Sequence, residues 1–143
     1  MSEVKHVLIV EDDLMFMVRL ESVLKRLGYV PLTARTAAKA LEIAEAHPLC
    51  LAILSFGRTH LKPKEIATQL KALPNAAPIL GFLSHVLIPE QRTAIKASGC
   101  DLLVPNSSIV LRLPPLMERL APFDGSQADL TSAQEIAEAE EES

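Results

Sequence analysis

The sequence predicts an α/β domain, a doubly wound five-stranded parallel sheet with strand order 2-1-3-4-5. Three observations carry that prediction. Five short apolar runs recur along the chain, and a stretch with helical spacing follows each one. Each strand-plus-helix unit is about 20 to 25 residues long, the length of a βα repeat with a right-handed crossover. The first run, Val7 to Val10, is rich in β-branched residues and ends abruptly in Glu11-Asp12-Asp13, as a strand buried on both faces does where it reaches solvent.

Each element has its own signal. After the first strand, Met15, Val18, Leu20, Val23, Leu24 and Leu27 recur at helical spacing, and Gly28 supplies the stop. Tyr29 to Thr33 reads as a second strand, at the sheet edge because it contains Pro31. Thr36 caps a helix with Ala40, Leu41 and Ala44, closed by His47-Pro48. Leu49 to Leu54 is a strand, Lys64 to Leu73 a helix and Ile79 to Leu83 a strand. Pro89 to Ala97 is a helix ended by Gly99, Leu102 to Val104 a strand, and Ser107 to Leu120 the last helix of the series. Pro114-Pro115 is expected to kink that helix or split it in two.

Composition narrows the function classes. The chain has 143 residues, 49% hydrophobic and 22% charged, enough apolar material for one core. No apolar stretch approaches the roughly 20 residues of a membrane span, and neither a signal peptide nor an anchor is expected. Cys50 and Cys100 form no CxxC pair, which argues against a disulfide scaffold, a zinc ribbon or redox chemistry. The expectation is a soluble, reduced, cytoplasmic protein. A net charge of −4 and five aromatic residues (Phe16, Tyr29, Phe56, Phe82, Phe123) argue against nucleic-acid binding. The charge is uneven. Residues 1–121 hold 14 basic and 11 acidic groups, net +3, whereas residues 122–143 hold seven acidic groups and no Lys or Arg. We read residues 1–121 as the domain and 122–143 as a disordered acidic tail, with Ser132-Ala-Gln-Glu135 as a capping box for a helix marginal on its own.

In such sheets the ligand site lies beyond the carboxyl ends of the strands, where strands 1 and 3 are neighbours. Glu11, Asp12 and Asp13 fall there, with Ser55, Phe56 and Gly57, then Leu83, Ser84 and His85, then Pro105, Asn106 and Ser107. Clustered carboxylates repel unless a cation offsets them, and Mg²⁺ takes such oxygen ligands; a solvated acidic loop is the plainer alternative.

Val7-Leu-Ile-Val-Glu-Asp-Asp13, Pro78-Ile-Leu and Gly99-Cys-Asp101, in this order, resemble the response-regulator receiver family over residues 4 to 121. The resemblance implies Mg²⁺ at the acidic pair, here Glu11 and Asp12. It also implies a phospho-accepting Asp at the end of strand 3, a Thr or Ser at the end of strand 4, and a Lys after strand 5. Those positions fall on Ser55, on Leu83 with Ser84 beside it, and on Asn106, while the aromatic of strand 5 falls on Leu103. No Asp lies between Asp13 and Asp101, so no change of register supplies the acceptor. A serine is a weak nucleophile without an adjacent base, and the lost Lys removes the charge that pairs with a phosphate. The reading is a degenerate pseudo-receiver without aspartyl phosphorylation.

The other constellations are weaker. Ser55 lacks a GxSxG context and reads as a small residue filling a vacated position, and a Ser55/His85/Asp12 triad has no oxyanion loop. His6, His47 and His60 have no metal-ligand spacing. The basic loop Gly57 to Lys64 could make salt links with the acidic rim, but reads first as a solvated loop. No dinucleotide or P-loop motif occurs.

The expected function is a stand-alone, non-enzymatic signalling module of a two-component or phosphorelay system that works by protein–protein contact. Expected partners are a histidine kinase or a downstream effector, with a homodimer through the fourth helix, fifth strand and fifth helix as a further option. No nucleic acid, membrane insertion or resident cofactor is expected. Partner-contact candidates on that face are Ile88, Gln91, Ile95, Leu103, Ile109, Leu113 and Met117, of which some must be core. One alternative is an atypical receiver that binds Mg²⁺ or phosphate through Glu11 and Asp12 with Ser55. The other is a small α/β enzyme using the same rim.

Overall fold

A computed structural model describes residues 4–74, 76–83, 89–123 and 127–141. Its strands are β1 (His6–Val10), β2 (Val30–Ala34), β3 (Leu49–Ser55), β4 (Ile79–Leu83) and β5 (Leu102–Pro105). They form one parallel sheet in the order β2-β1-β3-β4-β5, the order the alternation predicts. The helices are α1 (Leu14–Arg26), α2 (Ala37–Ala46), α3 (Pro63–Lys71), α4 (Pro89–Ala97), α5 (Asn106–Leu120) and α6 (Leu130–Glu141).

Parallel strands need cover on both faces. Alternation along each strand sends side chains to two cores. Val7, Ile9, Leu51, Ile53, Leu80 and Phe82 pack with α1, α5 and α6. Leu8, Val10, Ala52, Leu54 and Ile79 pack with α2, α3 and α4. The central strands are therefore apolar at nearly every position. β2 is less buried, as expected of the edge strand that carries Pro31.

The helix ends follow local chemistry. Asp13 caps α1 by accepting from the Phe16 amide at 3.1 Å, and Thr36 caps α2 by accepting from the Lys39 amide at 3.1 Å. Gly28 turns the chain out of α1 at φ +98°, a conformation that favours glycine. At the opposite end of the sheet from Glu11, Asp101 accepts from Lys71 Nζ at 2.6 Å and from the Ile79 amide at 2.8 Å. That link ties α3 to the starts of β4 and β5.

Of the two outcomes expected at Pro114-Pro115, a split does not occur: α5 runs unbroken from Asn106 to Leu120. The flanking Leu113, Leu116 and Met117 are all buried on the sheet, and that packing holds both halves in one element. The segment expected to be a disordered tail contains α6. Ala133 and Ala137 are buried against α5 and β5, with Ile136 packed beside them. A helix that is marginal alone gains its stability from such packing. Its cap is Asp129, which accepts from the Ser132 amide at 3.0 Å, not Ser132 as the capping-box reading had it. The end of α5 is tied down separately. Tyr29 donates its hydroxyl proton to the Ala121 carbonyl at 2.6 Å, and the Phe123 ring packs on it with centroids 4.4 Å apart.

At Gly81 on β4 there is no room for a side chain. A Cβ there would lie 2.6 Å from the Phe56 ring and 2.8 Å from Cys100 Sγ. Gly81→Ala is expected to destabilise the fold by about 1–3 kcal/mol, read as a lower denaturant midpoint at unchanged slope. Ala133→Asp places a charge in the α5–α6 contact; it should remove hydrogen-exchange protection from α6 while the sheet amides keep theirs.

Candidate functional site

The site is assembled by β1 and β3, adjacent strands that end at the same edge of the sheet. β1 is buried along Val7 to Val10, and its burial carries Glu11 under the surface, where it is 2% exposed. A buried carboxylate has to be paired or hydrogen-bonded. Glu11 Oε1 accepts from the Asp12 amide at 2.9 Å, from the Asp13 amide at 3.1 Å and from Arg58 Nε at 2.9 Å.

Arg58 does more than pair with Glu11. Its Nε lies 3.3 Å from Asp12 Oδ1, and its Nη2 lies 3.4 Å from Asp13 Oδ2. One guanidinium thus meets three consecutive carboxylates. His60 Nε2 takes the remaining side of the cluster, 2.5 Å from Asp12 Oδ2. The basic loop is therefore bound to the acidic rim, which corrects the reading of it as a solvated segment.

Local structure explains how Arg58 and His60 arrive there. After β3, Phe56 is buried and its amide bonds to the Phe82 carbonyl at 2.9 Å, so the chain is fixed up to the loop. A 3-10 turn over Thr59–Leu61 follows, with Leu61 buried. Lys62 then adopts a left-handed conformation at φ 56°, and Pro63 starts α3. A non-glycine residue in that region carries a strain cost, here set against the two buried anchors on either side of the basic pair.

The electrostatics follow from the contacts. The hydrogen bond from His60 holds the Asp12 carboxyl below its usual range, with further help from the charges of His60 and Arg58. The hydrogen bond to Glu11 and the charge of Glu11 hold the Arg58 proton more tightly than usual, with Asp12 and Asp13 adding to it.

The other positions singled out in the sequence sort clearly. Ser55 ends β3, 4% exposed and paired in register with Phe82. The Phe82 ring stacks on Phe16 of α1 with centroids 5.1 Å apart. Leu83 is buried at the end of β4, and Asn106 opens α5 in an exposed position. Ser84, His85 and Ile88 lie outside the described residues. Of the partner-contact candidates, Gln91 is exposed. Ile95 and Leu103 belong to the core under α2–α4, and Ile109, Leu113 and Met117 to the core under α1, α5 and α6. These five are packing residues, not contact residues.

Cys100 is buried and Cys50 partly so; burial pushes their thiols up to about 12 and about 11, as befits inert cysteines.

The carboxylates that a Mg²⁺ ion would use are engaged by protein groups. A hard cation needs carboxylate oxygens free to bind it, usually with several waters. Here Glu11 Oε1 and both Asp12 oxygens are already engaged, and β3 offers a hydroxyl where a third carboxylate would serve. No group of three or more His, Cys, Asp or Glu among the described residues is arranged to hold a metal ion. Nor is any helix among them long and apolar enough to cross a membrane.

Sequence reasoning weighed salt links from the basic stretch Gly57 to Lys64 to the acidic rim but ranked a solvated loop first, and it singled out neither Arg58 nor His60 as the residues that would make them.

No protein-family model and no curated protein matches this chain. Solved structures do. A response regulator from Hahella chejuensis superposes with a TM-score of 0.74 at 22% identity, covering 86% of this chain and 99% of that one. The receiver domain of Saccharomyces cerevisiae Ssk1, crystallised with the histidine phosphotransfer protein Ypd1, gives 0.73 at 17% identity over 88% and 94%. A CheY-like receiver domain protein from Methanospirillum hungatei gives 0.71 at 18% identity over 99% and 100%. The chain has the fold of response-regulator receiver domains.

The site carries a titration prediction. Because the Asp12 pKa is lowered on folding, its ionised form adds stability above the unfolded carboxylate range, and that contribution is lost as pH falls through the folded value. In His60→Ala the largest cause is gone. The Asp12 carboxyl should then titrate at higher pH than in the native chain, followed by carboxyl carbon NMR; an unchanged midpoint would contradict the pairing.

Proposed function

We propose that this protein is a cytoplasmic, non-enzymatic signalling module of receiver type that works by protein–protein contact and accepts no phosphoryl group on an aspartate. The observation that carries the reading is Ser55 at the end of β3, beside Glu11 and Asp12. Acyl-phosphate formation needs a carboxylate nucleophile and a divalent ion to offset the incoming charge. Ser55 is no carboxylate, and the carboxylates at the end of β1 are already bound to Arg58. The positions that would contact the product are Leu83, an apolar side chain, and Asn106, an uncharged one.

Two further facts favour protein contact as the mode of action. Leu14, Met15 and Val18 at the start of α1 are 54%, 78% and 60% exposed, an apolar stripe immediately beyond the carboxylates. The Ssk1 receiver, which shares the fold, was crystallised with a histidine phosphotransfer signalling protein. A signalling protein of that kind, a kinase or an effector, is the partner class we infer. Ile95, Leu103, Ile109, Leu113 and Met117 lie in the core and α6 lies on α5 and β5, so a homodimer through that face would draw on other residues.

The test is incubation of the full chain with radiolabelled acetyl phosphate and Mg²⁺. No label should be incorporated, and stoichiometric label on any residue would sink the reading.

A further inference from the structure

We propose that Arg58 is the resident cation of this site and sets its cation specificity: it holds Glu11, Asp12 and Asp13 in place of a divalent metal ion, and keeps Mg²⁺ out even when an aspartate is supplied at position 55. The site is thus closed twice, once by the missing carboxylate on β3 and independently by an arginine.

The contacts carry the argument. Three carboxylates in a row on one loop need an offsetting charge, and the guanidinium meets all three, at 2.9, 3.3 and 3.4 Å. Its planar fork suits that bridging task better than a compact ammonium would. It also stays charged across the whole accessible pH range, so no change of protonation vacates the site. Arg58 is tethered between buried Phe56 and buried Leu61, so it competes with free metal at a high effective concentration. A Mg²⁺ ion would have to displace it and then share the loop with a nearby positive charge. His60 on Asp12 Oδ2 adds a second obstacle on the far side of the cluster. The Arg58 side chain is 41% exposed, so replacing it opens no cavity in the core.

The inference rests on the receiver-type reading of the site, but its test is separate. Mg²⁺ alone is titrated into the full chain while the amide resonances of residues 11–13 and the melting temperature are followed. The native chain and Ser55→Asp should not respond at millimolar metal. Ser55→Asp/Arg58→Ala should respond at residues 11–13, with affinity higher than that of Ser55→Asp by about tenfold or more. Ser55→Asp/Arg58→Lys, which keeps the charge but not the fork, should bind Mg²⁺ more weakly than the alanine double variant.

A response of Ser55→Asp equal to that of the alanine double variant overturns the proposal, as does a lysine variant that binds like the alanine one. If the alanine double variant lacks a cooperative melt, recovery of the melt on adding Mg²⁺ supports the proposal, and failure to recover it overturns it. Label from acetyl phosphate in the native chain would defeat the functional reading alone and leave the metal comparison standing.

Discussion

Glu11 is driven beneath the surface by the burial of β1, and an ionised carboxylate there has to find a partner. Two amides of its own loop and one guanidinium from the neighbouring loop provide it. Much of the local architecture serves that requirement. The loop after β3 must return Arg58 towards β1, which explains the tight 3-10 turn, the buried Leu61 and the left-handed Lys62 before α3. With Arg58 in place, Asp12 and Asp13 are engaged as well, and Asp13 still caps α1 through its other oxygen. One pairing therefore fixes the first and third loops relative to each other.

The fold was legible because its signals are local. Val7 to Val10, Leu49 to Leu54 and Ile79 to Leu83 are apolar at nearly every position, which only a two-sided burial explains, and Gly28 and Thr36 mark helix ends by backbone chemistry. What sequence reading missed depends on contacts distant in the chain. α6 has little apolar surface to announce it, and the alanines that bury against α5 read as tail composition until their partner is known. The two prolines of α5 obey the same logic, since packing of the residues around them decides whether the helix survives.

The site was half legible. Topology alone places Glu11, Asp12, Ser55 and Leu83 at one edge, and the structure keeps them there. Arg58 was not legible, because a basic loop beside an acidic one has a solvated option of nearly equal energy. The choice turns on backbone geometry, above all on a left-handed lysine that no periodicity encodes. The five contact candidates that prove to be buried escaped notice for a related reason. Helical spacing shows that Ile109, Leu113 and Met117 share a stripe, but not that the stripe faces the sheet and α6.

Tyr29 is the sole tyrosine of a chain that has no tryptophan. Its hydroxyl reaches the Ala121 carbonyl across 92 positions of sequence, and the Phe123 ring lies against its face. Burial pushes its phenol up to about 12, so it is protonated at neutral pH. The molecule therefore carries a built-in optical probe at the junction where the last long helix meets the second strand. Its emission and ultraviolet absorbance report on closure of that junction, without an added label and without interference from the distant acidic loop.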